Sequence, residues 1–315
     1  MKLQQLRYLV KVAQSDLNVS NAAEALYTSQ PGISKQIRQL EDELGVVIFE
    51  RGGKRLTGIT EPGKRVIEIA GRILSEADNI RRIGEEFSEG DSGRLVIATT
   101  HTQARYVLPA VVKKFVERHP NVHLSMRQGS PPQIAEWTVE GEADIAIATE
   151  SLDRYPQLLM LPCYQWGHCV VAPDGHPALH ENPLSLFALA RWPLITYDAA
   201  FTGRSLIDRA FERARLLPNI VLSAIDADVI KTYVNLGLGL GIIARMAYDP
   251  TRDTGLKAID VTDLFGINTT RIGLRRGIYL RGYEYDFIML FAPHLTRKAI
   301  DMAMSGAGEN DVYQL

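Results

Sequence analysis

A set of polar and basic side chains lies within one short stretch near the start of the chain. Gln30, Ser34, Lys35 and Arg38 fall at helical spacing, and none of them is acidic. Amide, hydroxyl and cationic groups of this kind donate hydrogen bonds to phosphate oxygens and to base edges in a DNA major groove. This stretch therefore predicts DNA recognition, and the alternative is an ordinary helical hairpin with a solvated face.

Two short helices joined by a tight turn would hold that polar face outward. Ser20 is a suitable N-cap for a helix over residues 20–27, and Ser29 for a helix over residues 30–44. Pro31 falls in the first turn of the second helix, where its missing N–H costs nothing. We include Ser29 and Pro31 among the candidate DNA-binding residues. The apolar side of the second helix consists of Ile33, Ile37 and Leu40.

A β-hairpin wing is predicted directly after this helix. Short apolar runs flank the turn from Glu50 to Arg55, which carries two glycines and the side chains of Arg51, Lys54 and Arg55. Basic groups on a glycine loop suit phosphate contact, which fixes register without reading sequence. Residues 1–60 are thus predicted to form a winged helix-turn-helix DNA-binding domain, and the alternative for the wing is a solvated hairpin tip.

From about residue 61 the apolar pattern changes to a heptad seam. Large and small side chains alternate at spacings of four and three, and the stripe needs a partner helix. We predict that residues 61–90 form a linker helix that pairs with its copy in a second subunit. The alternative is packing on its own domain. The seam consists of Val66, Ala70, Ile73, Ala77, Ile80, Gly84 and Phe87.

Residues 91–315 alternate between strand and helix patterns, which predicts an α/β effector-binding domain. We expect two lobes, one from residues 91–163 and 267–315 and the other from residues 164–266. Ligands of such folds bind in a cleft at the carboxyl ends of the strands.

Threonines gather at the predicted cleft. Thr100, Thr102 and Gln103 follow one strand, Thr149 ends another, and the Thr202-Gly203 pair opens a helix in the second lobe. Hydroxyl groups beside helix N-termini form an uncharged site for a carboxylate, sulfate or phosphate. The alternative is that each Thr is merely a helix cap.

Composition argues against several other classes of protein. The 315 residues carry a net charge of −2, so DNA affinity must come from a local basic patch. The spacing of Cys163 and Cys169, and the scattered histidines, predict no metal site. Gly237–Gly241 leads from a helix into a strand, the reverse of a dinucleotide-binding turn, so no cofactor is expected. No stretch approaches the roughly 20 apolar residues of a membrane span, and no signal peptide is evident. We expect a cytoplasmic protein that is not an enzyme and has no catalytic residues.

The N-terminal motifs resemble those of LysR-type transcriptional regulators. The matching residues are Ala22-Ala23, Leu26, Ser29-Gln30-Pro31, Ile33-Ser34, Leu40-Glu41, Leu44-Gly45, Phe49, Arg51, Leu56-Thr57 and Gly63. The resemblance implies a winged helix-turn-helix, a linker helix and a two-lobed effector domain like that of periplasmic binding proteins. It also implies binding to promoter DNA and RNA polymerase, and self-association as a homodimer or homotetramer.

Motifs in the effector domain resemble the branch of this family that controls sulfur assimilation and cysteine biosynthesis. They lie at residues 98–106, 128–131, 146–149, 161–164, 201–205, 226–233 and 291–296. The resemblance implies an acetylserine inducer, with sulfate or thiosulfate as competing anions. It puts the anion site on Thr100, Thr102, Gln103, Thr149 and Thr202, with Trp166 nearby.

The sequence departs from the branch at two places. The usual Asn-Arg after Trp166 is missing, and Asp198-Ala-Ala precedes Phe201 where Gly is common. These changes predict a different pocket wall. Three alternatives therefore stay open: a related regulator that responds to sulfate starvation, a small-anion binding protein without a DNA target, and an enzyme that uses the cleft.

Overall fold

The structure of the chain is a computed structural model. It describes residues 1–53, 55–89, 92–149, 152–199, 201 and 203–306. Two predicted site residues, Lys54 of the wing and Thr202 of the cleft, lie outside the described residues. None of the described helices combines the length and the apolar character that a membrane-spanning helix needs.

The chain divides into two compact units. The first consists of Met1–Ser88 together with the short segment Gly277–Tyr279. The second contains Glu89–Arg276 and resumes at Leu280. A segment distant in sequence therefore belongs with the N-terminal unit.

A winged helix-turn-helix opens the first unit. Ser29 caps its third helix by accepting a hydrogen bond from the N–H of Gly32 at 3.3 Å, as predicted. The predicted cap of the second helix was wrong. Asn18 caps it instead of Ser20, because the helix begins one residue earlier and Asn18 Oδ1 accepts from the N–H of Ser20 itself. The elements are α1 (Leu3–Gln14), α2 (Val19–Ala25), α3 (Gln30–Leu44), β1 (Phe49–Gly52) and β2 (Arg55–Ile59).

The long helix α4 (Glu61–Glu89) carries the predicted heptad seam. The first half of the seam packs within its own unit, where Ala70 is 1% exposed and Ile73 joins the core of the winged helix-turn-helix. In the second half, Ile80 is 73% exposed and Phe87 is 83% exposed. The prediction that the whole seam faces a second subunit was wrong for the first half, because α4 covers the apolar side of the DNA-binding domain there.

The second unit is built from alternating strands and helices. Its strands are β3 (Gly93–Thr99), β4 (Val122–Gln128), β5 (Ile145–Ala148), β6 (Leu158–Trp166), β7 (His168–Pro173), β8 (Pro193–Tyr197), β9 (Asn219–Ala224), β10 (Leu240–Ala244), β11 (Leu256–Asp260) and β12 (Asn268–Arg275). Its helices are α5 (His101–Tyr106), α6 (Leu108–Arg118), α7 (Pro131–Val139), α8 (Leu186–Leu189), α9 (Arg204–Arg213), α10 (Ala227–Asn235), α11 (Thr262–Phe265), α12 (Gly282–Phe291) and α13 (Arg297–Met304).

These strands form two mixed sheets, one in each lobe. The first sheet has the order β4-β3-β5-β12-β6, and the second has the order β11-β7-β10-β8-β9. Strands β3, β4 and β5 are parallel, whereas β12 returns antiparallel between β5 and β6. The chain crosses between the sheets at Gly167 and again between β11 and β12. Residues at these two crossings are positioned to touch both lobes.

Two predicted boundaries in this unit differ from the structure. The second lobe was expected from about residue 164, but Tyr164–Trp166 complete β6, because they pair with β12 of the first sheet. The sequence pattern of residues 102–119 predicts a single helix, which the structure divides into α5 and α6. Pro109 causes the break, since its nitrogen has no hydrogen to continue the ladder of hydrogen bonds.

Candidate functional site

The polar face of α3 is open to solvent in the first unit. Gln30, Lys35 and Arg38 are exposed, and Ser34 is half-buried. Gln30 Nε2 donates a hydrogen bond to Ser34 Oγ at 3.3 Å, which orders the first turn of this face. Ser29 and Pro31, at the start of the helix, are also exposed. A short exposed helix end with this chemistry suits insertion into a major groove.

The fold brings the wing beside this helix. Ser34, Arg38 and Arg51 line one small pocket between α3 and the hairpin. Gln30 and Arg55 line a larger cavity of about 510 Å³ that also includes polar residues before and within α2. Five of the described candidate DNA-binding residues of helix and wing therefore line two pockets that share Val19 and Leu56, although they are up to about 25 positions apart in the sequence.

Arg51 has a structural contact that the sequence does not reveal. Its Nη2 lies 2.6 Å from Oε2 of the buried Glu41. The other carboxylate oxygen of Glu41 accepts hydrogen bonds from the N–H groups of Ile48, at 2.8 Å, and Phe49, at 3.1 Å. Arg51 thus neutralises the Glu41 carboxylate, which fixes the start of the wing. This structural role is separate from any contact of Arg51 with DNA.

In the second unit, several predicted cleft residues converge on a residue that was not predicted, Thr270 of β12. Its Oγ1 accepts hydrogen bonds from Gln103 Nε2 at 3.2 Å and from Trp166 Nε1 at 3.1 Å. Thr149 Oγ1 lies 3.5 Å from the same oxygen. Thr270 is fully buried, and it joins residues from α5, β6 and the end of β5. We call these four residues the Thr270 cluster.

The directions of these hydrogen bonds follow from the neighbouring phenol. Burial raises the pKa of Tyr164 to about 12, against hydrogen bonds with Thr270 and Gln103 that lower it, so the phenol keeps its proton. Its O–H donates to Gln103 Oε1, which leaves Gln103 Nε2 to donate to Thr270. Because two N–H donors occupy the Thr270 oxygen, its own hydroxyl hydrogen is left to point to Tyr164, to Thr149 or to a ligand.

The remaining described cleft residues lie around this cluster. Thr100 is buried and precedes α5, and its carbonyl accepts from the N–H of Ala104 at 3.0 Å. Thr102 is buried and is a hydrogen-bond partner of the buried Tyr197. Gly203 is the N-cap of α9 in the second lobe, with φ at 70°. The structure thus joins Gln103, Thr149 and Trp166 directly, and it does not bring Thr102 into the same cluster.

An ion-pair contact links α5 to α10 of the second lobe. Asp228 accepts a hydrogen bond from the Tyr106 hydroxyl at 2.7 Å and lies 3.1 Å from Arg105 Nε. Lys231 Nζ is 3.2 Å from Asp228 and 2.8 Å from Asp253. Burial raises the pKa of Asp228, but the hydrogen bonds from Tyr106, Arg105 and Lys231 outweigh it and hold the pKa below its ordinary value. The carboxylate therefore stays ionised, and it fastens α5 to α10.

The chemistry of the Thr270 cluster suits an anion. Trp166 donates its single N–H to Thr270, which leaves the second N–H of Gln103 and the hydroxyl groups of Thr149 and Thr270 as donors, and none of the four residues carries a carboxylate. Uncharged donors of this kind hold a carboxylate or an oxyanion through hydrogen bonds. Among the described residues, no group of three His, Cys, Asp or Glu side chains converges as metal ligands do.

Sequence reasoning missed Thr270 and the neighbouring Asn268. The apolar sequence pattern indicates a strand only over residues 271–275, and both residues fall outside it. A local sequence signal could have identified them as site residues. Asn268-Thr-Thr270 stands immediately before an apolar strand, where the chain returns to the first lobe. Their position in the cleft depends on pairing with β6, which is not readable from a single sequence.

Comparison with known proteins agrees with both units. Residues 3–64 match the family model described as "Bacterial regulatory helix-turn-helix protein, lysR family", and residues 88–303 match "LysR substrate binding domain". The HTH-type transcriptional regulator SsuR of Burkholderia cenocepacia is 56% identical over 300 residues, covering 95% of this chain and 97% of that protein. The regulator CysB of the same organism is 52% identical over 315 residues, covering 100% of both chains.

A solved structure extends this similarity to three dimensions. The crystal structure of the cofactor-binding domain of the Cbl transcriptional regulator aligns with a TM-score of 0.66 and 47% identity, over 68% of this chain and 93% of that one. The relatives are named as transcriptional regulators, not enzymes, which confirms the expectation that the chain is not an enzyme. On these matches, together with the winged helix-turn-helix and the two-lobed domain, the chain belongs to the LysR family of DNA-binding transcriptional regulators.

Proposed function

We propose that this regulator controls genes of sulfur assimilation and cysteine biosynthesis in response to a small anion bound in the cleft of its second unit. The observation that carries the proposal is the Thr270 cluster, a buried set of uncharged donors at the ends of β5 and β6. The carboxylate of acetylserine, or sulfate or thiosulfate as competing anions, has the acceptor oxygens that such uncharged donors bind. The similarity to CysB and SsuR supports the choice of these anions.

The DNA side of the proposal rests on the exposed face of α3 and the wing. Gln30, Ser34, Lys35 and Arg38 would read or hold the major groove, while the wing would contact phosphates. The regulator would act in the cytoplasm as a homodimer or homotetramer and would recruit RNA polymerase. The effector would act by shifting the population between two arrangements of the lobes.

The test is a titration of a fluorescent sulfur-assimilation promoter fragment with the full-length protein, at fixed salt, with and without acetylserine. We expect specific binding whose strength or stoichiometry changes with acetylserine. A matched titration with a scrambled fragment measures the non-specific component, which depends strongly on salt. Equal affinity for both fragments would contradict the proposed function.

A second candidate is a regulator that responds to sulfate itself. The sequence departs from the usual Asn-Arg after Trp166, in the segment that runs from β6 of one lobe into β7 of the other, and this departure predicts a different pocket wall and hence a different effector. Repeating the promoter titration with sulfate in place of acetylserine distinguishes the two candidates. Specific DNA binding that changes with sulfate and not with acetylserine would support the second.

A further inference from the structure

One buried donor in the cleft has no hydrogen-bond partner in the described part of the protein. Asn268, the first residue of β12, is 4% exposed, and among the described residues its Nδ2 has no hydrogen-bond partner. Native proteins rarely bury an amide N–H₂ group without a partner, and the exceptions tend to lie where a ligand or an ordered water binds. Asn268 therefore needs a functional explanation.

The backbone that faces this amide belongs to the other lobe. A Cβ atom built on Gly203 would lie 2.7 Å from Asn268 Oδ1, 2.9 Å from Asn268 Nδ2 and 2.8 Å from His168 Cε1. Gly203 also has φ at 70°, which favours glycine. Only glycine satisfies both conditions, and it lets the Asn268 amide approach the first turn of α9.

That first turn is electrostatically suited to an anion. Helix α9 spans Arg204–Arg213, and its N-terminal end carries the positive end of the helix dipole. A buried amide donor and a helix N-terminus that contact one another from two lobes would both stabilise negative charge placed beside them. The two observations are independent, since Asn268 belongs to the first lobe and α9 to the second.

Asn268 also continues the Thr270 cluster along one strand. Residues two apart in a β-strand point to the same face, so Asn268 and Thr270 lie side by side on β12. The ring of His168, beside Gly203, lies 5.2 Å from that of Trp166, whose Nε1 donates to Thr270. Asn268 thus extends the cluster from the first lobe toward the second.

We propose that Asn268 is an effector-binding residue, whose Nδ2–H group donates to an anionic oxygen of the ligand at the start of α9. This inference rests on the proposed effector function and adds a residue that binds the ligand where the lobes meet. The shared chemistry of the ligand is an anionic oxygen, either a carboxylate of acetylserine or an oxygen of sulfate or thiosulfate.

The test is calorimetric titration of the full-length protein and its Asn268→Ala variant with acetylserine, sulfate and thiosulfate in separate experiments. We expect the variant to bind the true effector about tenfold more weakly or worse, as expected for a lost hydrogen bond to a charged group. The matched control is Asn219→Ala, at the exposed start of the edge strand β9, which should keep wild-type affinity. The anion whose affinity falls identifies the source of the oxygen.

Thermal unfolding without ligand separates a binding role from a structural one. Because Asn268 Nδ2 makes no hydrogen bond within the described residues, its removal should leave the Tm unchanged or higher, while the rise in Tm on adding ligand should be lost. Asn268→Leu, which keeps the branched outline of the side chain without its N–H group, provides the same test if the alanine variant is poorly folded.

The outcomes separate the two proposals. Wild-type affinity in both Asn268 variants would overturn the role of Asn268 alone, as would a lower Tm with unchanged affinity. No saturable binding of any of the three anions by the wild-type protein would contradict the proposed effectors, and the role of Asn268 with them.

Discussion

At the scale of single residues, the Thr270 hydroxyl holds Gln103 and Trp166 together in the cleft. Replacing Thr270 with Val keeps the shape but leaves the N–H donors of Gln103 and Trp166 without their acceptor. We expect the free energy of unfolding to fall by about 1–3 kcal/mol and the affinity for the anion to fall about tenfold. Denaturant unfolding and calorimetric titration measure the two effects.

The control for this change is Thr269→Val, one residue earlier on the same strand. Its side chain points to the opposite face of the sheet, so neither quantity should change appreciably. A Thr270→Val protein with wild-type stability and wild-type affinity would show that the cluster does not depend on this hydroxyl.

Arg38 of α3 and Arg51 of the wing should behave differently when each is replaced with Ala. Arg51→Ala removes the partner of the buried Glu41, and we expect a loss of about 1–2 kcal/mol in unfolding free energy. This is less than for a fully buried pair, because the Arg51 side chain is 31% exposed. Arg38 is exposed and makes no such pair in the described part of the chain, so Arg38→Ala should leave the Tm unchanged.

The DNA affinity of the Arg38 variant then distinguishes two roles. A phosphate contact predicts uniformly weaker binding to all sequences. It also predicts that the slope of log affinity against log salt concentration falls by about one in magnitude. A base contact predicts a loss of about 1–3 kcal/mol confined to the specific site. Fluorescence anisotropy across a salt series measures both, and unchanged affinity would remove Arg38 from the interface.

At the scale of elements, α4 holds a distant segment of the chain. Asn79 Nδ2 donates to the carbonyl of Gly277 at 2.7 Å, and Asn79 Oδ1 accepts from the N–H of Tyr279 at 2.8 Å. Arg82 Nε donates to the carbonyl of Tyr279 at 2.9 Å. The held segment follows β12 directly in the chain, and β12 begins with Asn268 and Thr270.

Replacing Asn79 with Ala should release this segment. Two hydrogen bonds are lost, so the local free energy of opening around Gly277–Tyr279 should fall by about 1–3 kcal/mol. Hydrogen exchange of the peptide that contains Tyr279 measures this directly. Asp78→Ala is the control, because its pair with Arg81 at 3.3 Å is exposed and should contribute little. Equal rates of hydrogen exchange of this peptide in the Asn79 and Asp78 variants would argue that Asn79 does not fix the segment.

The elements also show what the sequence could and could not predict. The helix-turn-helix was predictable because its signals are local: the Ser29 cap, the Gly45 end and the spacing of Ile33 and Ile37. Strand β6 was not predicted, because Pro162 interrupts its pattern. The structure accommodates Pro162 opposite Arg271, where the register between β6 and β12 shifts, and a proline is tolerated at such an irregularity.

The cleft was predictable only in part for a related reason. Thr100, Gln103 and Thr149 stand at strand ends that the sequence marks, whereas the role of Thr270 arises from long-range pairing of β12 with β5 and β6.

The seam of α4 was also predictable only in part. Its periodicity is visible in the sequence, but the division between intramolecular packing and an exposed stripe depends on which side of α4 the DNA-binding core occupies.

At the scale of the whole molecule, the exposed half of that seam predicts how two copies associate. Ile80, Ile83 and Phe87 are 73%, 38% and 83% exposed, and Gly84 between them allows close helix approach. An apolar stripe at positions i, i+3, i+4 and i+7 on a polar helix is stable only when a partner covers it. LysR regulators oligomerise, and a second copy of α4 supplies a matching stripe.

Introducing charge into this stripe should therefore separate the subunits. We expect the double variant Ile80→Glu, Phe87→Glu to lose at least tenfold in dimer affinity, because carboxylates would replace the two most exposed apolar side chains of the stripe. Light scattering across a dilution series measures the mass. Arg81→Glu, on the same helix but outside the stripe, is the control and should keep the wild-type assembly. Because paired heads bind two half-sites together, dissociation should also weaken promoter binding in the double variant alone. A double variant with wild-type mass would mean that the subunits associate through another surface.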